Sequence, residues 1–236
     1  MLPVADQNIP GRGLPVLTIA LIVINVLVFV LLQLPSEAFT YAWATVPREI
    51  TTGVDIVRTV NVPGGSFTLE ASPSPVYLTL LSSMFMHGGW LHLAGNMLFL
   101  WIFGDNVEHA LGRLPFISFY LVAGVVASLA QVFVDPNSLI PSLGASGAIS
   151  GVLAAYFVFF PQNRVLVYAF YNAFWAPALL VIGLWALLQF VYGFGQIAVS
   201  EQTGGVAYMA HIGGFVFGLV VGLLARSWAI GRLRRA

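Results

Sequence analysis

LGASGAISG, residues 143–151, opens an apolar run that continues to residue 160. A serine set among glycines and alanines at the head of such a run has three uses: helix cap, packing contact or nucleophile. The solvent of the run decides what the serine costs. Hydrophobic residues make up 59% of the chain and charged residues 8%, against about 25% charged in an average soluble domain. Apolar runs recur at 16–34, 91–111, 114–134, 145–160, 174–197 and 206–228, most of them near the ~20 residues that a helix needs to cross a bilayer. The expected fold is therefore all-α: a polytopic membrane protein of six transmembrane helices in one domain, residues 1–236.

The first run exceeds the roughly 7–15 apolar residues of a signal-peptide core, so it is expected to persist as a spanning helix. Cysteine is absent, which removes disulfides and thiolate metal sites, and the formal net charge is zero, which argues against a nucleic-acid role. All nine basic residues are arginines, and they are unevenly placed. Arg12 precedes the first run, Arg113 lies between the second and third, Arg164 between the fourth and fifth, and Arg226, Arg232, Arg234 and Arg235 follow the sixth. The positive-inside rule then puts both termini in the cytoplasm: a short N-terminal segment 1–13 and a basic tail 229–236. The polar segment 35–75, rich in Pro, Gly and Ser, becomes a long outer loop, with FTYAWATVPREI as its interfacial part. Spans two, four and six would all start outside and run inward.

Polar residues inside spans are costly and mark functional sites by default. Span two opens with MHGGWLHLAGN, span four with GASGAIS, and span six carries YMAHIGG. His92, Asn96, Ser146 and His211 should thus lie at one depth near the outer leaflet. His92 and Asn96, four apart, share a helix face. Span four, at about 16 residues and 1.5 Å each, is roughly 24 Å long against a hydrocarbon core of about 30 Å, so Ser146 should be recessed. Gly147, Gly151 and Ala155 repeat every fourth residue in span four, as do Ala210, Gly214, Gly218 and Gly222 in span six. Small residues so spaced let helices approach closely in lipid. If the stripes face each other, Ser146 and His211 come within hydrogen-bond reach, and a neutral imidazole can take the serine proton. The oxyanion formed by attack on a carbonyl would need donors: the Ser146 backbone N–H, His92 and Asn96.

These residues resemble those of the rhomboid family of intramembrane serine proteases. GASG at 144–147 matches the nucleophile motif G-x-S-G, AHIGGFVFG at 210–218 matches A-H-x-x-G-x-x-x-G, and HGGWLHLAGN at 87–96 matches H-x-x-x-x-H-x-x-x-N. The likeness continues through GDNVEHALG at 104–112 and covers most of the chain from residue 77 onward. The resemblance implies a six-helix, bacterial-type domain that hydrolyses peptide bonds of transmembrane protein substrates in or beside the lipid bilayer, in a bacterial inner membrane. It implies Ser146 as nucleophile, His211 as general base, His92 and Asn96 as oxyanion-stabilising side chains, and neither metal nor cofactor. One departure is that well-studied bacterial members carry a tyrosine four residues after the nucleophile, where this chain has Ser150. The Ser150 hydroxyl is expected to orient His211 in its place, directly or through water. The outer loop also lacks an evident Trp-Arg pair.

Other residues read as structural. His87 suits the entry of span two, His109 and Glu108 its inner end, and Arg113 the inner loop. Trp175, Trp185 and Phe190 suit lipid contact or packing. A metalloprotease lacks its H-E-x-x-H, two histidines and an asparagine make a poor zinc site, and the aspartate of FGDN lacks a second aspartate at its depth. A transporter would need a coupling carboxylate mid-span and a paired repeat. The rival from another class is a non-catalytic rhomboid-like protein that binds transmembrane clients; such proteins typically lack the serine, the histidine or both.

Overall fold

A computed structural model describes residues 2–9, 13–169, 171–199 and 206–235. Arg12 lies outside them. The chain order is β1 (Leu2–Asp6), α1 (Val16–Val28) continued by a π-helical turn at Phe29–Gln33, α2 (Glu37–Trp43), α3 (Pro47–Thr52), β2 (Arg58–Val62), β3 (Gly65–Leu69), α4 (Thr79–Ser82), α5 (Trp90–Leu111), α6 (Arg113–Val134), α7 (Ser146–Phe159), β4 (Arg164–Ala169), β5 (Asn172–Pro177), α8 (Ala178–Val199) and α9 (Tyr208–Arg235). Among the described residues four stretches are long and apolar enough to cross a membrane: Val16–Gln33, Arg113–Val134, Ala178–Gly195 and Tyr208–Arg234. The protein is a mostly helical membrane protein. α5 carries Asp105 and Glu108 near its end, and α7 has only 14 residues.

The expectation of an all-α chain is corrected by five strands. β1, β4 and β5 form an antiparallel sheet in the order β1-β4-β5, and β2 pairs with β3. The run placed at 174–197 begins instead as strand, and α8 starts only after Pro177. Hydropathy alone could not separate them: RVLVYA and NAFWAP are as apolar as a helix start, while their β-branched and aromatic residues favour a pleated surface. Val165 and Val167 face the core fully buried. The basic segment 229–234, read as a tail, continues α9 as helix.

The segment 35–75 is built rather than slack. Ser36 caps α2 by accepting from Phe39 N–H at 3.1 Å, and Gly53, at φ +70°, ends α3 with its N–H on the Glu49 carbonyl. Tyr41 of α2 stacks on Phe67 of β3 with ring centroids 5.2 Å apart.

At the centre, α7 is buried on nearly all sides and lies against α9 and α6. The two stripes do face each other. A Cβ on Gly214 would run into the carbonyl of Gly147, one on Gly218 into the Gly151 backbone, and one on Gly222 would lie 3.3 Å from Ala155 Cα. α6 adds small residues of its own, since a Cβ on Gly151 would be 2.9 Å from Ala123 Cβ. Without side chains between them, the helix backbones touch, which is the attraction available when lipid is as apolar as the interface.

Candidate active site

α7 and α9 present their first turns to the same end of the bundle. Ser146 is the first residue of α7, and its N–H therefore has no acceptor inside the helix. His211 sits one turn into α9. Because the glycine stripes hold the two backbones in contact, Ser146 Oγ and His211 Nε2 are 2.7 Å apart. Both residues are half-buried, recessed but reachable.

The other ring nitrogen of His211 is held by a group the sequence reading overlooked. His211 Nδ1 lies 2.7 Å from Gln189 Oε1, on α8. The Gln189 amide nitrogen donates to the Trp185 carbonyl one turn earlier, at 3.4 Å, so the amide oxygen is the atom turned to the ring. Trp185 lies over His211 with centroids 5.9 Å apart and planes at 34°, and Tyr208 meets its edge at 6.3 Å and 81°. Trp185 thus takes the packing alternative, against His211 and Phe215. The expected role of Ser150 is not met: its hydroxyl donates to the Ser146 carbonyl of its own helix at 2.6 Å, while His211 already has a partner on each nitrogen. Gln189 was detectable as a polar side chain inside an apolar run, by the same rule that singled out Ser146.

His92 and Asn96 stand on the first turns of α5. The Gly88 N–H donates to His92 Nδ1 at 3.2 Å, which leaves Nε2 as the nitrogen carrying the proton. That nitrogen is turned to the segment before the serine, since a Cβ on Gly144 would lie 3.0 Å from it. His92 is exposed, whereas Asn96 is buried and its amide nitrogen has no acceptor. His87 is fully buried, with its backbone clamped by Gln33, which accepts from the His87 N–H at 2.8 Å and donates to its carbonyl at 3.2 Å. Burial, with His92 beside it, pushes the His87 imidazole down to about 3, so the ring is neutral.

The segment that delivers Ser146 is anchored by Thr45, between α2 and α3, and by Ser83. Thr45 and Ser142 exchange two backbone hydrogen bonds of 3.0 and 2.8 Å, and the Gly144 N–H donates to the Ser83 carbonyl at 2.9 Å. The Thr45 hydroxyl donates to the Thr79 carbonyl at 2.8 Å and lies 2.9 Å from the Ser83 hydroxyl.

The opposite ends of α5 and α7 carry a second polar cluster. Asp6 accepts from the Tyr156 hydroxyl and from Asn106 Nδ2, both at 2.6 Å, and Asn8, with its amide nitrogen turned inward, lies 3.0 Å from both Asp6 and Asp105. Asp105 thus does have an aspartate neighbour, contrary to the sequence reading. It comes from β1, about a hundred residues away, and the pair is saturated by amide and phenol donors far from Ser146. Glu108 caps α1, accepting from Leu17 N–H, Thr18 N–H and the Thr18 hydroxyl at 2.8–3.1 Å. His109 Nε2 is 2.9 Å from the Gly13 carbonyl. Among the described residues no group of three or more acidic or histidine side chains is arranged to hold a metal.

The family model described as Rhomboid domain matches residues 75–228. Rhomboid protein 1, mitochondrial, of Saccharomyces cerevisiae is 29% identical over 210 residues, which cover 87% of this chain and 52% of that protein. The presenilin-associated rhomboid-like protein, mitochondrial, of Mus musculus is 31% identical over 163 residues, covering 65% and 39%. Rhomboid protease GluP of Bacillus subtilis is 34% identical over 153 residues, covering 65% and 27%. The chain therefore spans about half the length, or less, of these relatives. With yeast and mouse mitochondrial proteins among them, the expected bacterial inner membrane finds no support there. A domain match over most of the chain, spanning Ser146 and His211 alike, makes this protein a member of the rhomboid family.

Proposed function

We propose that this chain is an intramembrane serine endopeptidase that hydrolyses peptide bonds in or next to the transmembrane segments of other membrane proteins. The observation that carries the reading is the 2.7 Å approach of Ser146 Oγ to His211 Nε2. As Oγ attacks a scissile carbonyl, Nε2 takes its proton. The oxyanion that forms meets the free N–H of Ser146, the Nε2–H of His92 and the unpartnered amide of Asn96. Protonated His211 then gives its proton to the leaving amine, and an acyl-Ser146 is left for water to hydrolyse by the same base. The small cavity lined by Ser83, Ser128, Ser142, Gly144 and Ser146 offers hydroxyls along which such a water can be held. In this reading α1, α5, α6, α7, α8 and α9 are six spans, both termini face the cytoplasm, and Ser146 faces the other side, sunk below the surface by the shortness of α7.

The test is cleavage of a single-span substrate by the purified protein in detergent. Cleavage that disappears in Ser146→Ala and in His211→Ala supports the protease. A wild type that binds the substrate without cutting it makes the chain a client-binding member instead.

A further inference from the structure

We infer that Gln189 is the positioning residue of the Ser146–His211 pair: its amide oxygen selects the tautomer in which His211 acts as base. This rests on the serine-protease reading. A dyad that draws a proton from serine needs an imidazole with Nε2 bare and Nδ1 protonated, and a free imidazole has both tautomers available. Only an acceptor on Nδ1 removes the wrong one. Gln189 Oε1 is that acceptor at 2.7 Å, and the Trp185 carbonyl on the Gln189 amide nitrogen prevents the amide from turning its nitrogen to the ring.

The chemistry of the group suits its place. A carboxylate would do the same work in water, but within a span a charge is expensive. A neutral amide supplies the acceptor and, as imidazolium forms, an oxygen dipole aimed at the developing charge. Trp185 on one face and Tyr208 at the edge of the ring limit its tilt, yet neither offers Nδ1 an acceptor. The orienting group also stands on a different helix from the dyad. α7 and α9 meet backbone to backbone, whereas at its glycines α8 meets side chains: a Cβ on Gly183 would meet only Phe157, at 4.0 Å, and one on Gly193 the tips of Met209 and Ile212 and the Tyr208 Cβ at 3.3 Å. A shift of α8 would leave Ser146 and His211 together and take away the oxygen that sets the base.

The experiment compares wild type with Gln189→Met, which keeps the length and removes the amide acceptor, and Gln189→Glu, which keeps the acceptor. Three readings are taken: kcat and KM on a single-span substrate, the rate of Ser146 phosphonylation by a fluorophosphonate, and the imidazole 15N shifts of the four histidines. Gln189→Met should lower kcat and the phosphonylation rate about tenfold to a hundredfold, leave KM within about twofold, and move the His211 shifts away from the Nδ1–H pattern. Gln189→Glu should restore most of the rate. Wild-type kcat and unchanged His211 shifts in Gln189→Met would overturn the inference, as would a change confined to KM. Loss of the protease reading looks different: Ser146→Ala would then cut, or wild type would fail to cut, whatever the histidine shifts show.

Discussion

Gly144 measures how little room the site leaves. Its φ of +129° is one that side chains rarely adopt, and a Cβ there would lie 2.9 Å from His92 Cε1 and 3.0 Å from Nε2. Gly144→Ala should therefore cost about 1–3 kcal/mol in backbone strain and push the His92 N–H off the position proposed for the oxyanion. Loss of one such donor is worth about a hundredfold or more in kcat, so activity should collapse while the melting temperature falls only by a few degrees; an assay of cleavage beside a thermal melt checks both. Ser150 gives the opposite expectation. Its hydroxyl is spent on the Ser146 carbonyl of its own helix, a local bond whose loss costs about 1 kcal/mol, so Ser150→Ala should cleave at the wild-type rate. A large drop in kcat would return Ser150 to the role the sequence suggested for it.

At the scale of elements, the α7–α9 seam grades its own tolerance. A Cβ on Gly218 would run into the Gly151 backbone, which cannot yield, whereas one on Gly222 meets Ala155 Cα at 3.3 Å and the Val158 side chain at 3.3–3.4 Å. Gly218→Ala should destabilise by about 1–3 kcal/mol and abolish cleavage by parting Ser146 from His211, while Gly222→Ala, farther from the site and against softer contacts, should keep most activity; melts and cleavage assays on the pair test the gradient. This seam was legible in the sequence because four-residue spacing of small side chains is a property of one helix at a time. Four of the apolar runs, at 16–34, 114–134, 174–197 and 206–228, were legible for the same reason, since hydropathy accumulates along the chain. β4 and β5 were not, because six apolar residues read equally as strand or as the start of a span. Gln189 was visible as a polar residue, but its partner depends on the rotation of α8 about its axis, which no pattern within α8 records. Thr45 and Ser142 are separated by almost a hundred residues, and loop pairing at that distance leaves no local trace.

Taken whole, the molecule concentrates its polar groups at the two ends of the same helices. The starts of α5, α7 and α9 carry His92, Asn96, Ser146 and His211; the ends of α5 and α7 hold β1 through Asp6, Asn106 and Tyr156. The second cluster substitutes donors for water so that a strand can close the bundle beneath a nearly fully buried α7. Burial raises the Asp6 carboxyl above its ordinary 3.8, and the hydrogen bonds from Tyr156 and Asn106 only partly oppose that. A carboxyl that holds its proton more tightly in the folded chain than in the unfolded one contributes stability that is fully present below the unfolded value and is lost as pH rises through the folded one. The dyad end should not share this dependence, since nothing in the Asp6 network touches Ser146 or His211. Thermal unfolding of wild type followed from about pH 3.5 to about pH 7 should therefore show a falling contribution that is missing in Asp6→Asn, which keeps an acceptor oxygen for Tyr156 and cannot ionise. Parallel profiles for the two proteins would mean that the Asp6 network holds the carboxylate as comfortably as water does.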